Sequence, residues 1–199
     1  MRPPATTTAM TPKLLALAAL VVAWSVAPFA AQAACRNLEF ETLPYTVCEV
    51  TAGQDLRLFH ADANGAVLGS FARVDEALKA EGKRLVFAMN AGMYHADRAP
   101  VGLLVTEGVE RSRLVTREGP GNFGLLPNGV FCIRQGRFAV VESRAFKARP
   151  PACRFANQSG PMLVIDGALH PRFLPGSDSR FIRNGVGVSA DGQTAYLAI

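Results

Sequence analysis

One stretch restricts this chain more than any other: Arg84-Leu-Val-Phe-Ala-Met-Asn-Ala-Gly-Met-Tyr-His95. Leu85 to Met89 is a short apolar run of the kind that makes a buried strand. It empties abruptly into Asn90, Ala91 and Gly92. Tyr94, His95, Asp97 and Arg98 follow, closed by Pro100. A buried strand that ends in a polar, glycine-containing loop delivers side chains to the rim of a sheet. A single instance equally describes a strand and an ordinary turn. The pattern recurs, however, and the recurrences decide how the rest of the chain is read.

Before this stretch, Tyr45 to Val50 and Leu56 to His60 read as strands, joined at Ala52-Gly53-Gln54. Phe71, Val74, Ala77 and Leu78 share one helical face, Ser70 is placed to cap that helix, and Gly82 ends it. After it, Val101 to Val105 is a second apolar run. Phe123 to Leu126 and Val130 to Ile133 are strand-like on either side of Pro127-Asn128-Gly129, and Gln135-Gly136 turns the chain into Arg137 to Glu142. Residues 144–154, basic and rich in proline, read as a solvated connection. Residues 156–161, Ala-Asn-Gln-Ser-Gly-Pro, read as a polar loop leading into a strand at Met162 to Ile165 that ends on Asp166-Gly167. A long irregular loop over residues 170–184 precedes strands at Gly185 to Ser189 and Thr194 to Ile199. The expected fold is α/β (α+β): one domain with few helices and a mixed, largely antiparallel sheet.

The first 33 residues stand apart. Arg2 and Lys13 precede the apolar segment Leu14 to Phe29, and Ala31-Gln32-Ala33 matches a cleavage signal, so residues 1–33 read as a secretory signal peptide. The expected location is periplasmic or secreted, without stable membrane insertion after cleavage. Setting Arg2 and Lys13 aside from 21 Lys and Arg leaves 19 against 16 Asp and Glu, a surplus of three with no block of like charge. That balance suits an anionic substrate and gives no reason to propose nucleic acid. Cys35, Cys48, Cys132 and Cys153 all follow the signal, where disulfides are permitted. Three pairings exist; Cys35–Cys48 with Cys132–Cys153 is favoured because each closes a short loop. No two cysteines have zinc-ligand spacing, and no metal or cofactor is expected.

The residues after the signal carry no nucleophile-elbow, zinc-protease or phosphate-loop signature. What recurs instead is a polar cluster at the end of an apolar run. Asn90 follows one run and Asp166 another. Gln158 and Ser159 precede the second, and Arg180, Arg183 and Asn184 lie beyond it. Were those ends to converge, they would form a pocket with a carboxylate, two guanidiniums and several amide or hydroxyl groups. Guanidinium forks suit phosphate or carboxylate, and amides and hydroxyls suit a sugar.

Five stretches in this order resemble the phosphodiester glycosidase family: Asn90-Ala-Gly-Met-Tyr94; Pro100-Val-Gly-Leu-Leu-Val105; Gly121-Asn-Phe-Gly-Leu-Leu-Pro-Asn-Gly-Val-Phe131; Gln158-Ser-Gly-Pro-Met-Leu-Val164 with Asp166-Gly167; and Arg183-Asn-Gly-Val-Gly-Val-Ser-Ala-Asp-Gly192. The family includes the lysosomal enzyme that uncovers mannose 6-phosphate, and short exported bacterial proteins described as exopolysaccharide-related. The resemblance covers about Tyr45 to Ile199. It implies a cleft formed by these loops and hydrolysis of a sugar-1-phosphodiester from a phosphorylated carbohydrate or polysaccharide. Asp166 and Arg183 would then be catalytic, with Asn90, Tyr94, Gln158, Ser159, Arg180 and Asn184 binding substrate. Asn184 and Gly185 stand where many relatives carry Thr and Ala. The family usually continues into a further helix and strand, so the sequence reads as C-terminally truncated. The rival expectation is an exported carbohydrate-binding domain without catalysis.

Overall fold

The computed structural model describes Met1, residues 33–178 and residues 181–199. The expected signal peptide therefore lies almost wholly outside the described residues, and so does Arg180. The domain is α+β with largely antiparallel sheets and three helices among the described residues. Its strands are β1 (Ala34–Phe40), β2 (Leu43–Thr51), β3 (Leu104–Thr106), β4 (Val109–Ser112), β5 (Gly129–Arg134), β6 (Arg137–Glu142), β7 (Phe155–Ser159), β8 (Val164–Ile165), β9 (Ala168–Leu169), β10 (Gly185–Val188) and β11 (Thr194–Ala198). Its helices are α1 (Phe71–Lys79), α2 (Gly121–Gly124) and α3 (Ser143–Ala148).

Two sheets face each other. One has the order β1-β2-β11-β10 and the other β4-β3-β7-β5-β6, with β8 and β9 forming a separate hairpin. Cys48 and Val50 of β2 and Ala195 and Leu197 of β11 pack against Phe131 and Ile133 of β5, Phe138 of β6 and Phe155 of β7. The alternation along β5 explains the layering. Phe131 and Ile133 point into the space between the sheets. Val130 and Cys132 point the other way, into a second core with Leu103, Phe146 and Ala156 beneath α3. Burying such a side chain contributes roughly 1.5–3 kcal/mol, so a strand apolar on both faces is committed to the middle of the fold.

Both favoured disulfides are present. Cys35–Cys48 joins residues directly opposite each other in the β1–β2 ladder. Cys132–Cys153 ties buried β5 to the residue pair that precedes β7. Ser70 caps α1, its hydroxyl accepting from the Arg73 amide at 3.3 Å.

Several expectations need correcting. Leu85 to Met89 forms no ladder; Phe87 and Met89 pack on the inter-sheet core while Val86 is exposed. The run has a partner layer on one side but no neighbouring strand for its backbone among the described residues. Leu56 to His60 likewise forms no strand. Arg57 holds that segment instead, its guanidinium bonded to Asp55 and to Glu81 beyond α1. Residues 123–126 are not a strand, because the chain turns tightly through α2. The solvated connection at 144–154 contains α3, which buries Phe146 and leads to buried Cys153. Glu142 caps α3. Burial pushes its carboxyl up, but the Arg144 and Ala145 amides and the Ser143 hydroxyl together hold it below its ordinary value. The polar loop at 156–161 is mostly β7, the middle strand of its sheet. The strand expected over Met162–Ile165 shrinks to β8. β1, absent from the sequence reading, is a largely exposed strand whose two-residue turn at Glu41-Thr42 uses positive φ without glycine or asparagine.

Candidate functional site

β7 organises the site. It carries Asn157 and Gln158 side by side, and successive residues of a strand face opposite ways. The Asn157 amide donates to the Ala91 carbonyl at 2.8 Å and so holds the Asn90 loop. The Gln158 amide works on the other side. Its oxygen accepts from the Leu103 and Val115 backbone amides at 3.2 and 3.0 Å, and its nitrogen donates to the Val115 carbonyl. Gln158 is 2% exposed and both ends of its amide are engaged with backbone. The direct contact with substrate expected of it is not what this geometry offers; Gln158 fixes loops.

β7 ends on Ser159, followed by a cis Gly160–Pro161 bond. A second cis bond joins Leu126 to Pro127, and the Pro127 carbonyl accepts from the Met162 amide at 2.9 Å. Asn128, wholly buried, donates its amide to the Phe123 carbonyl at 2.8 Å. Its other end, Oδ1, has no hydrogen-bond partner among the described residues. That oxygen lies where a side chain on residue 160 would begin, so Gly160 admits no Cβ. His170 is a further buried polar residue. Its Nδ1 accepts from the Arg172 amide at 3.1 Å and its Nε2 faces the Leu126 carbonyl at 3.2 Å, which assigns the proton to Nε2.

These contacts shape a cleft of about 1720 Å³ at the ends of β5, β7 and β10. Asn90, Ser159, Asp166, Arg183 and Asn184 all line it. Asn184, immediately before β10, donates to the Asn90 carbonyl at 2.6 Å and to its Oδ1 at 3.0 Å. Two loops 94 residues apart are thereby joined. Arg183 stacks over Phe181 with its guanidinium carbon 5.2 Å from the ring centre. Asn122 faces the same guanidinium: with its amide turned so that both groups are satisfied, its oxygen accepts from Nη1 and Nη2 at 3.2 and 3.3 Å. Arg134, Arg137 and Arg172 also line the cleft, and Asp166 is the one carboxylate lining it among the described residues. The wall is therefore strongly positive.

Asp166 sits differently from the rest. With Gly167 it forms the two-residue turn between β8 and β9, both residues at positive φ (50° and 82°). Asp-Gly is the pairing such a turn prefers. The Asp166 side chain is exposed and makes no hydrogen bond or ion pair among the described residues. Tyr94 is separated from the cleft: it lines an adjoining groove, half exposed, beneath the Arg98 guanidinium at 4.9 Å. Asn122 and Asn128 were not singled out from the sequence. The signal lay in Gly-Asn-Phe-Gly and Pro-Asn-Gly, where asparagine is hidden by its usual role in turns. Among the described residues no group of three or more His, Cys, Asp or Glu is placed to hold a metal. No described helix is long and apolar enough to cross a membrane.

The family model for phosphodiester glycosidase matches residues 83–199, more than half of the chain, and contains every loop that lines the cleft's polar wall. This chain belongs to the phosphodiester glycosidase family. An Escherichia coli K12 relative, the uncharacterised protein YigE, is 35% identical over 153 residues. That alignment covers 77% of this chain and 59% of YigE, so the chain spans about three fifths of that relative's length. In this member of the phosphodiester glycosidase family the matched region begins just before Leu85. It thus leaves out β1, β2 and α1, although β2 supplies one wall of the inter-sheet core.

Proposed function

We propose that this protein is an exported hydrolase that cleaves a sugar-1-phosphodiester, releasing the sugar from a phosphomonoester, in envelope or exopolysaccharide metabolism. One observation carries the reading. Family loops distant in sequence meet in one cleft whose wall carries guanidiniums beside carboxamides and a serine. Guanidiniums bind phosphate oxygens by paired N–H groups, and carboxamides and hydroxyls satisfy sugar hydroxyls. A phosphomonoester leaves far more readily than a sugar alkoxide. The site therefore needs less proton donation and more stabilisation of an oxocarbenium-like sugar and of the departing phosphate. Arg183, with Arg180, takes the phosphate. Asn90, Asn184 and Ser159 hold the sugar, and Asp166 stabilises the sugar cation or orients water. Tyr94 would reach only the part of a substrate that extends into the adjoining groove. Gln158 acts at one remove, through the loops it fixes. Two disulfides accord with an oxidising compartment, and with the signal-like N-terminus they support export.

A specific feature favours a second reading, a carbohydrate-binding domain without turnover: the Asp166 carboxylate is exposed and has no supporting partner among the described residues, whereas catalytic carboxylates are usually oriented by neighbours. A panel of sugar-1-phosphodiesters, incubated with the exported protein, separates the two. Release of free sugar establishes the hydrolase. Saturable binding of the panel without release establishes the binding domain.

A further inference from the structure

We infer that Asn122 is a positioning residue for Arg183, and that the fold fixes it in place before any ligand arrives. The inference rests on the reading of Arg183 as an anion-binding group. With the Asn122 amide turned so that both groups are satisfied, its Oδ1 accepts from both Nη1 and Nη2 of Arg183, at 3.2 and 3.3 Å. A single oxygen placed between the two terminal nitrogens fixes the axis along which the guanidinium points, because both N–H vectors must aim at one point. Phe181 stacks on the group with the guanidinium carbon 5.2 Å from the ring centre. Rotation and tilt are thus both restricted on a side chain that otherwise has substantial rotamer entropy to lose.

Asn122 can do this only if its own loop is rigid, and the loop is closed at several points. The Gly119 amide donates to the Gly124 carbonyl at 3.3 Å, and the Leu125 amide donates to the Asn122 carbonyl at 3.3 Å. Gly119 and Gly124 approach so closely that a Cβ on Gly124 would overlap the Gly119 backbone. Next to Asn122, the Phe123 carbonyl accepts from wholly buried Asn128 at 2.8 Å. The core therefore sets Asn128, Asn128 sets Phe123, and the neighbouring Asn122 meets the guanidinium from a fixed base. Preorganised donors bind a developing or resident anion without a reorganisation cost at the moment of binding.

The experiment titrates the full chain with inorganic sulfate, a tetrahedral anion whose charge is constant from pH 4 to 8. It compares the unsubstituted protein with Asn122→Ala, Asn122→Asp, Arg183→Ala and the Asn122→Ala/Arg183→Ala pair. The expected result is that Arg183→Ala and Asn122→Ala each weaken sulfate about tenfold, while the pair is no weaker than the worse single variant. Asn122→Asp keeps the shape but places a carboxylate against the guanidinium. Its sulfate affinity is expected to fall at pH 7 and to recover toward pH 4, whereas the unsubstituted protein stays flat. Loss on Arg183→Ala with none on Asn122→Ala overturns the positioning role and leaves the anion site standing. Equal, additive losses overturn it as well. Unchanged sulfate affinity in Arg183→Ala, or none in the unsubstituted chain, overturns both the anion site and this inference. The phosphodiester panel judges turnover separately.

Discussion

Gly160 and Asp166 are the residues whose neighbourhoods decide most. Asn128 Oδ1 fills the place of a side chain at position 160, at the cis bond that leads out of β7. Gly160→Ala should cost roughly 1–3 kcal/mol through overpacking, read as a lower denaturant midpoint with an unchanged slope. Pairing it with Asn128→Ala should return part of the loss. Asp166→Asn tests chemistry instead. If the carboxylate stabilises the sugar cation, turnover of a sugar-1-phosphodiester should drop by about a hundredfold or more while Kd changes little, measured by single-turnover kinetics. Undiminished turnover would remove Asp166 from the mechanism. The sequence placed Asp166, Arg183, Asn184, Asn90 and Ser159 in one cleft because polar residues that end apolar runs gather at the rim of a sheet. It misplaced Gln158 because a glutamine in a polar tripeptide looks solvated. The three backbone hydrogen bonds that make its burial tolerable come from residues 43 and 55 positions away.

At the scale of elements, β7 shows why polar patterning misled. Asn157 and Gln158 make it a central strand read as a loop, since each amide replaces apolar packing with bonds to a loop backbone. Gln158→Leu keeps the volume and leaves the Leu103 and Val115 amides without their acceptor. The expected loss is about 2–4 kcal/mol, seen as a lower Tm, with faster hydrogen exchange confined to residues 101–103 and 113–117. β1 escaped the sequence reading for another reason. Its turn places Glu41 and Thr42 at φ 48° and 64°, a conformation disfavoured for a β-branched residue. Replacing the pair with Asn-Gly should raise stability by about 1 kcal/mol, measured by thermal unfolding with the disulfides intact. α1, by contrast, was legible from Ser70 to its apolar face, because capping and period are local.

On the scale of the whole molecule, two devices hold the periphery to the sandwich. The Arg57 guanidinium beside Asp55 holds that carboxyl at about 2, well below its ordinary 3.8, and Lys83 adds to the effect. A depressed carboxyl stabilises the fold above its unfolded value and loses that stabilisation as pH falls through its folded one. The contribution should therefore be complete above about pH 4 and lost between about pH 4 and 2. Asp55 is nearly half exposed, so it amounts to no more than about 1 kcal/mol. Asp55→Asn should flatten that part of the stability–pH curve. Cys132–Cys153 works inside the core. Replacing both cysteines with alanine should cost about 3 kcal/mol or more, the loop-closure term plus lost packing beneath α3, and more than the same change at exposed Cys35 and partnered Cys48.

The ladder between β2 and β11 carries a consequence in time. It pairs Val47 with Ala198 and Thr51 with Thr194, so a strand made early is completed by one that lies far later in the sequence. β5, β6 and β7 are close in sequence and can assemble while the rest of the chain is still being made. During synthesis from the amino end, β2 must instead wait, with Val50 uncovered and one backbone edge unpaired, until β11 arrives. Closure of the core along this ladder therefore has to wait until β11 has been made. In that interval the nascent chain is most exposed to mispairing and most in need of a chaperone.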